Sequence, residues 1–348
     1  MRIRQQQDIA DSDVRDAALL ANLGYKQEFT RDFTPFEVLG LGFSVIGVVP
    51  SVTSVLPYSL PYGGTVAMVW GWAICSIFLM FIALAVAELG SSAPMSGGLY
   101  YWTFHFSSPR HRKLLSWIVG YTNTIAYISA AAAVDWGCSV QIVATVTMGS
   151  DLRFVPSPAQ IYFLAPLWVM GGFDSSVHIS EEVRTWAILC AAGLGSVLGW
   201  AMIVALAFSM GTHLPTILGS PIGQPVATIF YSFGRRGTLS LWSFIILVQF
   251  MVGTSILTAA SRQIFAFSRD GALPFARFLY HIDKRINTPV NCVWASAFST
   301  GLLALICLAG PAASGAIFTL GVVCQYASLL IPIAARHLGG SLRRGRSI

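Results

Sequence analysis

The sequence predicts an all-α polytopic membrane protein, and three observations predict it. Charged residues make up 10% of the 348-residue chain and hydrophobic residues 55%, with a mean hydropathy of +0.67; soluble domains carry about 25% charged residues. Eight apolar runs reach the ~20 residues that a helix needs to cross the hydrocarbon core of a bilayer. The basic residues then sort to one side of those runs, as the positive-inside rule requires. A net charge of +6 can signal a nucleic-acid partner, but here the bases lie between apolar runs. They read as a topology signal, and no nucleic-acid partner is expected.

Residues 1–34 form a charged tail, expected in the cytosol, with a weak helical pattern around Val14–Leu23. No cleavable signal peptide is expected, because the first apolar run begins only after this polar stretch. Eight spans follow within a membrane domain covering 35–336. They are Phe36–Leu60, Thr65–Leu89, Leu114 towards Met148, Ile161–Ser180, Trp186–Met210, Leu239–Ser261, Val290–Gly310 and Ala316–Ala335. A basic tail, 337–348, closes the chain. With both termini cytosolic and the spans alternating, eighteen of the 21 Lys and Arg fall on the inner side; only Arg153, Arg235 and Arg236 lie outside. The outer stretch Gly211–Gly237 is either a short helical hairpin over the outer mouth or a surface loop.

The chemistry concentrates in two broken spans. Ala165–Glu182 starts as an apolar run and breaks at Gly171 and Gly172. It then places Asp174, Ser175, Ser176, His178 and Ser180 where a helix should still be in lipid. Polar backbone and side chains at that depth are tolerated only where they line a cavity. The first span carries a matching irregularity, with Gly40, Gly42, Gly47 and Pro50 mid-membrane. Glycines admit close approach and a proline cannot donate the helical bond. Two interrupted spans in corresponding positions point to the binding site of a secondary transporter. Freed amides there would hold a carboxylate, and freed carbonyls an ammonium or a cation.

Glu88, Asp135 and Asp174 are acids in or at the edge of spans, and no Lys or Arg lies inside any span. Acids without fixed basic partners suit a cationic substrate or a coupling proton. Asp135 has a structural alternative, a buried acid bonded to a neighbouring helix. For Glu88, at the cytosolic end of span two, a helix-end structural bond competes with a part in gating or proton handling. The run from Gly193 to Gly199 reads as small-residue helix packing rather than a nucleotide loop, since no strand precedes it. The six cysteines all lie in apolar runs without a CxxC and read as packing residues. No metal site, cofactor or nucleophile–base set is expected, so the chain is not read as an enzyme.

Four motifs carry a resemblance. AELGSSAPMSGGLYYW at Ala87–Trp102 and AFSRDGALP at Ala266–Pro274 resemble the amino acid–polyamine–organocation permease superfamily. FDSSVHISEE at Phe173–Glu182 and LGYKQEF at Leu23–Phe29 are similar to its fungal-type amino acid/choline branch, which includes GABA and choline permeases. The resemblance implies a leucine-transporter-like inverted repeat of two five-helix units, with substrate held at the breaks of helices one and six. By position these are Ser44, Val45, Ile46 and Gly47, and Gly171, Gly172, Phe173, Asp174, Ser175 and Ser176. It also implies proton-coupled uptake of an amino acid or amine across the plasma membrane, with Asp174, Asp135 and Glu88 as the coupling candidates. The chain departs from the family at Gly149–Gln160, where a dozen residues separate span three from the stretch matching helix six. Helices four and five, and eleven and twelve, are therefore expected to be missing. The competing expectation is a shortened, non-transporting membrane protein that associates with or derives from a full-length permease.

Overall fold

The computed structural model of the chain describes residues 47–92, 98–154, 157, 185–211, 213–283 and 288–344. The elements in order are α1 (Val48–Ser92), α2 (Gly98–Phe106), α3 (Arg112–Gly149), α4 (Thr185–Met210), α5 (Leu214–Leu218), α6 (Pro225–Tyr231), α7 (Arg235–Arg269), α8 (Ala276–Leu279), α9 (Val290–Leu305) and α10 (Pro311–Arg344). A 3-10 turn, Ile306–Ala309, joins α9 to α10. Among the described residues, six helices are long and apolar enough to cross a membrane. The fold is all-α and polytopic, as the composition predicts. The expected fourth span, Ile161–Ser180, lies outside the described residues.

Spans one and two are not separated by a loop. They form one helical element, α1, interrupted only at Gly64, which has φ +61 and ψ −159. Contacts on the two sides of Gly64 run in opposite directions. Before it, the chain passes from Gly47, against Val252 of α7, to Leu60, buried near Trp242. After it, Met68 joins the same cluster as Leu60, and Leu89 ends against Trp102 of α2. The element therefore doubles back on one glycine, whose positive φ a side chain would strain. Its second half lies along α4. Trp72 Nε1 donates to the Ser196 carbonyl at 3.0 Å, and a Cβ on Gly199 would collide with the Trp72 ring. The glycine run of α4 is thus a close-packing face, the usual device where lipid removes any hydrophobic drive between helices.

α3 is the central helix. Of its most apolar stretch 67% is buried, against 6% for α1, and it packs on α10, α7, α2 and α9. Small residues make this possible. A Cβ on Gly120 would run into the Phe267 ring of α7, and one on Gly137 would lie 2.8 Å from Ser54 Oγ of α1. From α10, Gly321 meets the α3 backbone at Ala130.

The end expected to face outward is covered by the helical alternative for Gly211–Gly237. α5 and α6 bury Ile217, Val226 and Ala227 in a cluster with Leu56 and Leu60 of α1, Met148 of α3 and Met210 of α4. Arg235 pairs with Asp151 at 2.5 Å and donates to the Gly149 carbonyl, tying the start of α7 to the end of α3. At the inner end α7 and α10 run on past their expected spans, to Arg269 and Arg344.

Candidate functional site

Two positions singled out by sequence meet at one turn of α7. Gly47 stands just ahead of α1 with φ +47, and its carbonyl accepts from the Ser51 amide at 2.8 Å, closing the first helical turn. A Cβ here would collide with Val252 Cγ2. Positive φ and close approach both require glycine. Pro50 falls inside that first turn, where a missing N–H removes no helical bond. The irregularity is thus a helix start deep in the bundle, and the proline is compatible with it. First-turn amides have no helical acceptor, and their partial positive charge favours an anionic group.

Asp135, on α3, is 8% exposed. A Cβ on Gly253 would lie 3.4 Å from Asp135 Oδ1, so the carboxyl occupies the space that the glycine leaves. Val252 and Gly253 are consecutive, which puts Gly47 and Asp135 against the same turn of α7. Across the stretches 48–87, 114–149, 185–211, 237–261, 290–309 and 311–335, Asp135 is the one Asp, Glu, Lys or Arg. Its carboxyl meets no cation among the described residues. An ionised carboxylate in that setting is costly, so the group must take up a proton or meet a mobile cation.

Next to Asp135 lies a set of uncharged polar side chains that the sequence reading missed. Gln249, one turn outward on α7, donates from Nε2 to the Val134 carbonyl at 3.1 Å. Gln141 of α3 donates from Nε2 to Ser54 Oγ of α1 at 3.2 Å, and its backbone carbonyl accepts from Trp242 Nε1 at 2.9 Å. Both glutamines are fully buried, and among the described residues the Oε1 of each has no hydrogen-bond partner. The set gathers around Gly137, whose Cβ position is 2.8 Å from Ser54 Oγ and 3.4 Å from Gln249 Nε2. The available signal was amide side chains deep in apolar runs, at Asn123, Gln141, Gln249 and Gln325. Asn123 instead faces α10, with Ser328 Oγ 3.4 Å from its Oδ1.

Glu88 stands apart from this group. Its Oε1 is 2.6 Å from Arg336 Nη2 at the inner end of α10, and the Arg336 guanidinium also lies 5.4 Å from the Phe106 ring centroid. The structure thus places Glu88 in a helix-end ion pair. Ser44, Val45, Ile46, Gly171, Gly172, Phe173, Asp174, Ser175 and Ser176 lie outside the described residues.

The two motifs flanking α2 and ending α7 form one unit at the inner end. Tyr100 Oη is 2.8 Å from Asp270 Oδ2 and 3.1 Å from the Ala266 carbonyl. Tyr121 donates to the Ala272 carbonyl at 2.9 Å. The Phe267 ring contacts both tyrosines, with centroids 5.3 Å away in each case.

The profile of the family described as "Amino acid permease" matches residues 33–165 and 144–338. The GABA-specific permease of Saccharomyces cerevisiae is 28% identical over 418 residues, covering 95% of this chain and 73% of that protein. An uncharacterized amino-acid permease of Schizosaccharomyces pombe is 30% identical, covering 92% of this chain and 74% of its own length. An amino-acid permease of Arabidopsis thaliana is 28% identical, covering 91% of this chain and 80% of its own. With its apolar spans, its central helix carrying a lone acid and these matches over nearly its whole length, the chain belongs to the amino acid permease family, a family of amino acid transporters, as an integral multi-pass membrane protein.

Proposed function

We propose that the chain is a secondary active permease of the fungal-type amino acid/choline branch, carrying an amino acid or a related amine such as GABA or choline across the plasma membrane. It works by alternating access and takes its driving force from protons. The observation that carries this reading is Asp135, the lone acid of the central helix α3, held against the turn of α7 that also seats the start of α1 at Gly47. Asp135 takes the coupling proton, because a buried carboxyl with no cation beside it is stable only when neutralised. The α1 start and Asp174 would hold the two ends of a zwitterion, the first by its amides and the second by its charge. The name of the yeast relative makes GABA the first substrate to try.

Labelled GABA uptake into proteoliposomes under an inward proton gradient tests this. Asp135→Asn is expected to abolish gradient-driven uptake while leaving the protein folded in the membrane. Asp174→Asn is expected to abolish uptake with or without the gradient. Full gradient-driven uptake by Asp135→Asn would end its assignment as proton carrier.

A second reading has its own support. The family profile matches in two stretches that overlap on this chain at 144–165, and the alignment to the yeast permease is longer than the chain itself. Both fit relatives that carry segments without a counterpart here, next to the junction at Gly149–Gln160. On that reading the chain is a shortened, non-transporting product that accompanies a full-length permease. Uptake by the purified chain alone separates the two: transport refutes the shortened-product reading.

A further inference from the structure

We propose that the coupling proton reaches Asp135 from the outer side, along the polar seam that Ser54, Gln141 and Gln249 form between α1, α3 and α7. The route rests on the reading of Asp135 as proton carrier and adds the path by which it is loaded. Three observations carry it. First, the seam is continuous in level. Asp135 lies at Gly253, Gln249 one turn further out on α7, and Gln141 with Ser54 beyond Gly137 on α3 and α1. Second, each glutamine is buried and has a side-chain carbonyl oxygen that no group among the described residues satisfies. For Gln249 the amide orientation is settled, because its Nε2 faces the Val134 carbonyl, which can only accept. A buried acceptor without a donor keeps its desolvation penalty unless a donor visits it. Water is the donor small enough to do so, and buried water takes such otherwise unsatisfied groups as its partners. Third, among the described residues the rest of the surroundings offers no competing charge. The turns of α1 and α7 facing Asp135 hold no ionisable residue between 47 and 57 or between 246 and 256. On its own helix Cys138 is the ionisable neighbour, and Tyr58 and Cys307 lie beyond it against Trp136.

In the transfer, a proton from outer water passes along water held by Gln141 and Gln249 and ends on the Asp135 carboxylate, converting it to the neutral acid. The apolar cluster of Leu56, Leu60, Met148, Val226 and Trp242 packs against the far end of the seam, where the Trp242 indole donates to the Gln141 backbone carbonyl. Loading therefore belongs to the conformation in which that cluster has parted.

The test uses the full chain in liposomes and two readouts. One is inward proton movement driven by external GABA, followed with a trapped pH dye. The other needs no transport: the carboxylic-acid infrared band that Asp135→Asn removes, timed as it shifts when the outer medium is exchanged for heavy water. Gln249→Met and Gln141→Met keep side-chain length and lose the acceptor. Each is expected to slow the isotope shift and to lose proton influx. Gln249→Glu and Gln141→Glu keep an oxygen and are expected to retain both. Methionine variants that shift and couple at the wild-type rate overturn the route, and so do glutamate variants that fail as badly as methionine, since packing alone would then be at stake. A band that Asp135→Asn leaves in place removes Asp135 as a protonated carrier and with it the proposed function. Loss of proton influx in Asp135→Asn with wild-type behaviour in all four glutamine variants leaves the carrier standing and overturns only the route.

Discussion

At the residue scale, two glycines, Gly47 and Gly253, and one acid, Asp135, do most of the positioning. Gly47 is held by both backbone and space, with φ +47 and with Val252 where a Cβ would go. Gly47→Ala is therefore expected to cost about 1–3 kcal/mol through overpacking, with further strain from the left-handed backbone. Thermal unfolding in detergent measures it. Adding Val252→Ala should recover the packing part and leave the backbone part. Glu88 makes the opposite case. Its carboxylate is 60% exposed in the pair with Arg336, and solvated ion pairs contribute about 0–1 kcal/mol. Arg336→Gln is expected to leave the unfolding temperature nearly unchanged, and a drop as large as that of Gly47→Ala would contradict this. Asp135 was legible as a charge in an apolar run. The nearby Ser54, Gln141 and Gln249 were not, because neutral polar residues occur along most of the spans and only their mutual facing distinguishes these three.

At the element scale, the helices meet through small residues. α1 and α4 show the device most clearly. Gly199 admits the Trp72 ring, and the indole N–H then reaches the Ser196 carbonyl at 3.0 Å. Gly199→Val is expected to separate the two helices and lose that bond together with the ring contact, lowering the yield of folded, monodisperse protein in detergent. Unchanged yield and unfolding temperature would show that α1 relaxes instead. The inner unit is built the same way, since Gly120 makes room for Phe267 between Tyr100 and Tyr121. Sequence placed these motifs on different helices, at Ala87–Trp102 and Ala266–Pro274, with nothing in their spacing to join them. Their contact depends on how α2, α3 and α7 pack, which is a long-range outcome.

At the scale of the whole molecule, the charge distribution makes a topological prediction. Epitope tags at the two termini are expected to be protected from antibody in intact cells and labelled after permeabilisation, while a tag between Arg235 and Arg236 should label in intact cells. Labelling of a terminal tag on intact cells would reverse the orientation. The all-α class, the membrane location and most span positions follow from sequence alone, because twenty apolar residues in a row have no other stable fate than a helix in lipid. The glycine break of the first span and the unusual acid of the third were equally visible, since each violates what a plain membrane helix requires. Tertiary structure alone decided the rest. It made the turn between the first two spans a single residue, Gly64, and folded Gly211–Gly237 into two short helices over the outer end. It also set Gly47 and Asp135 against one turn of α7. The physical reason is that hydropathy and charge act on each segment separately against lipid and water. Which side chains face one another inside the bundle depends on close packing between helices distant in sequence, and no single segment carries that information.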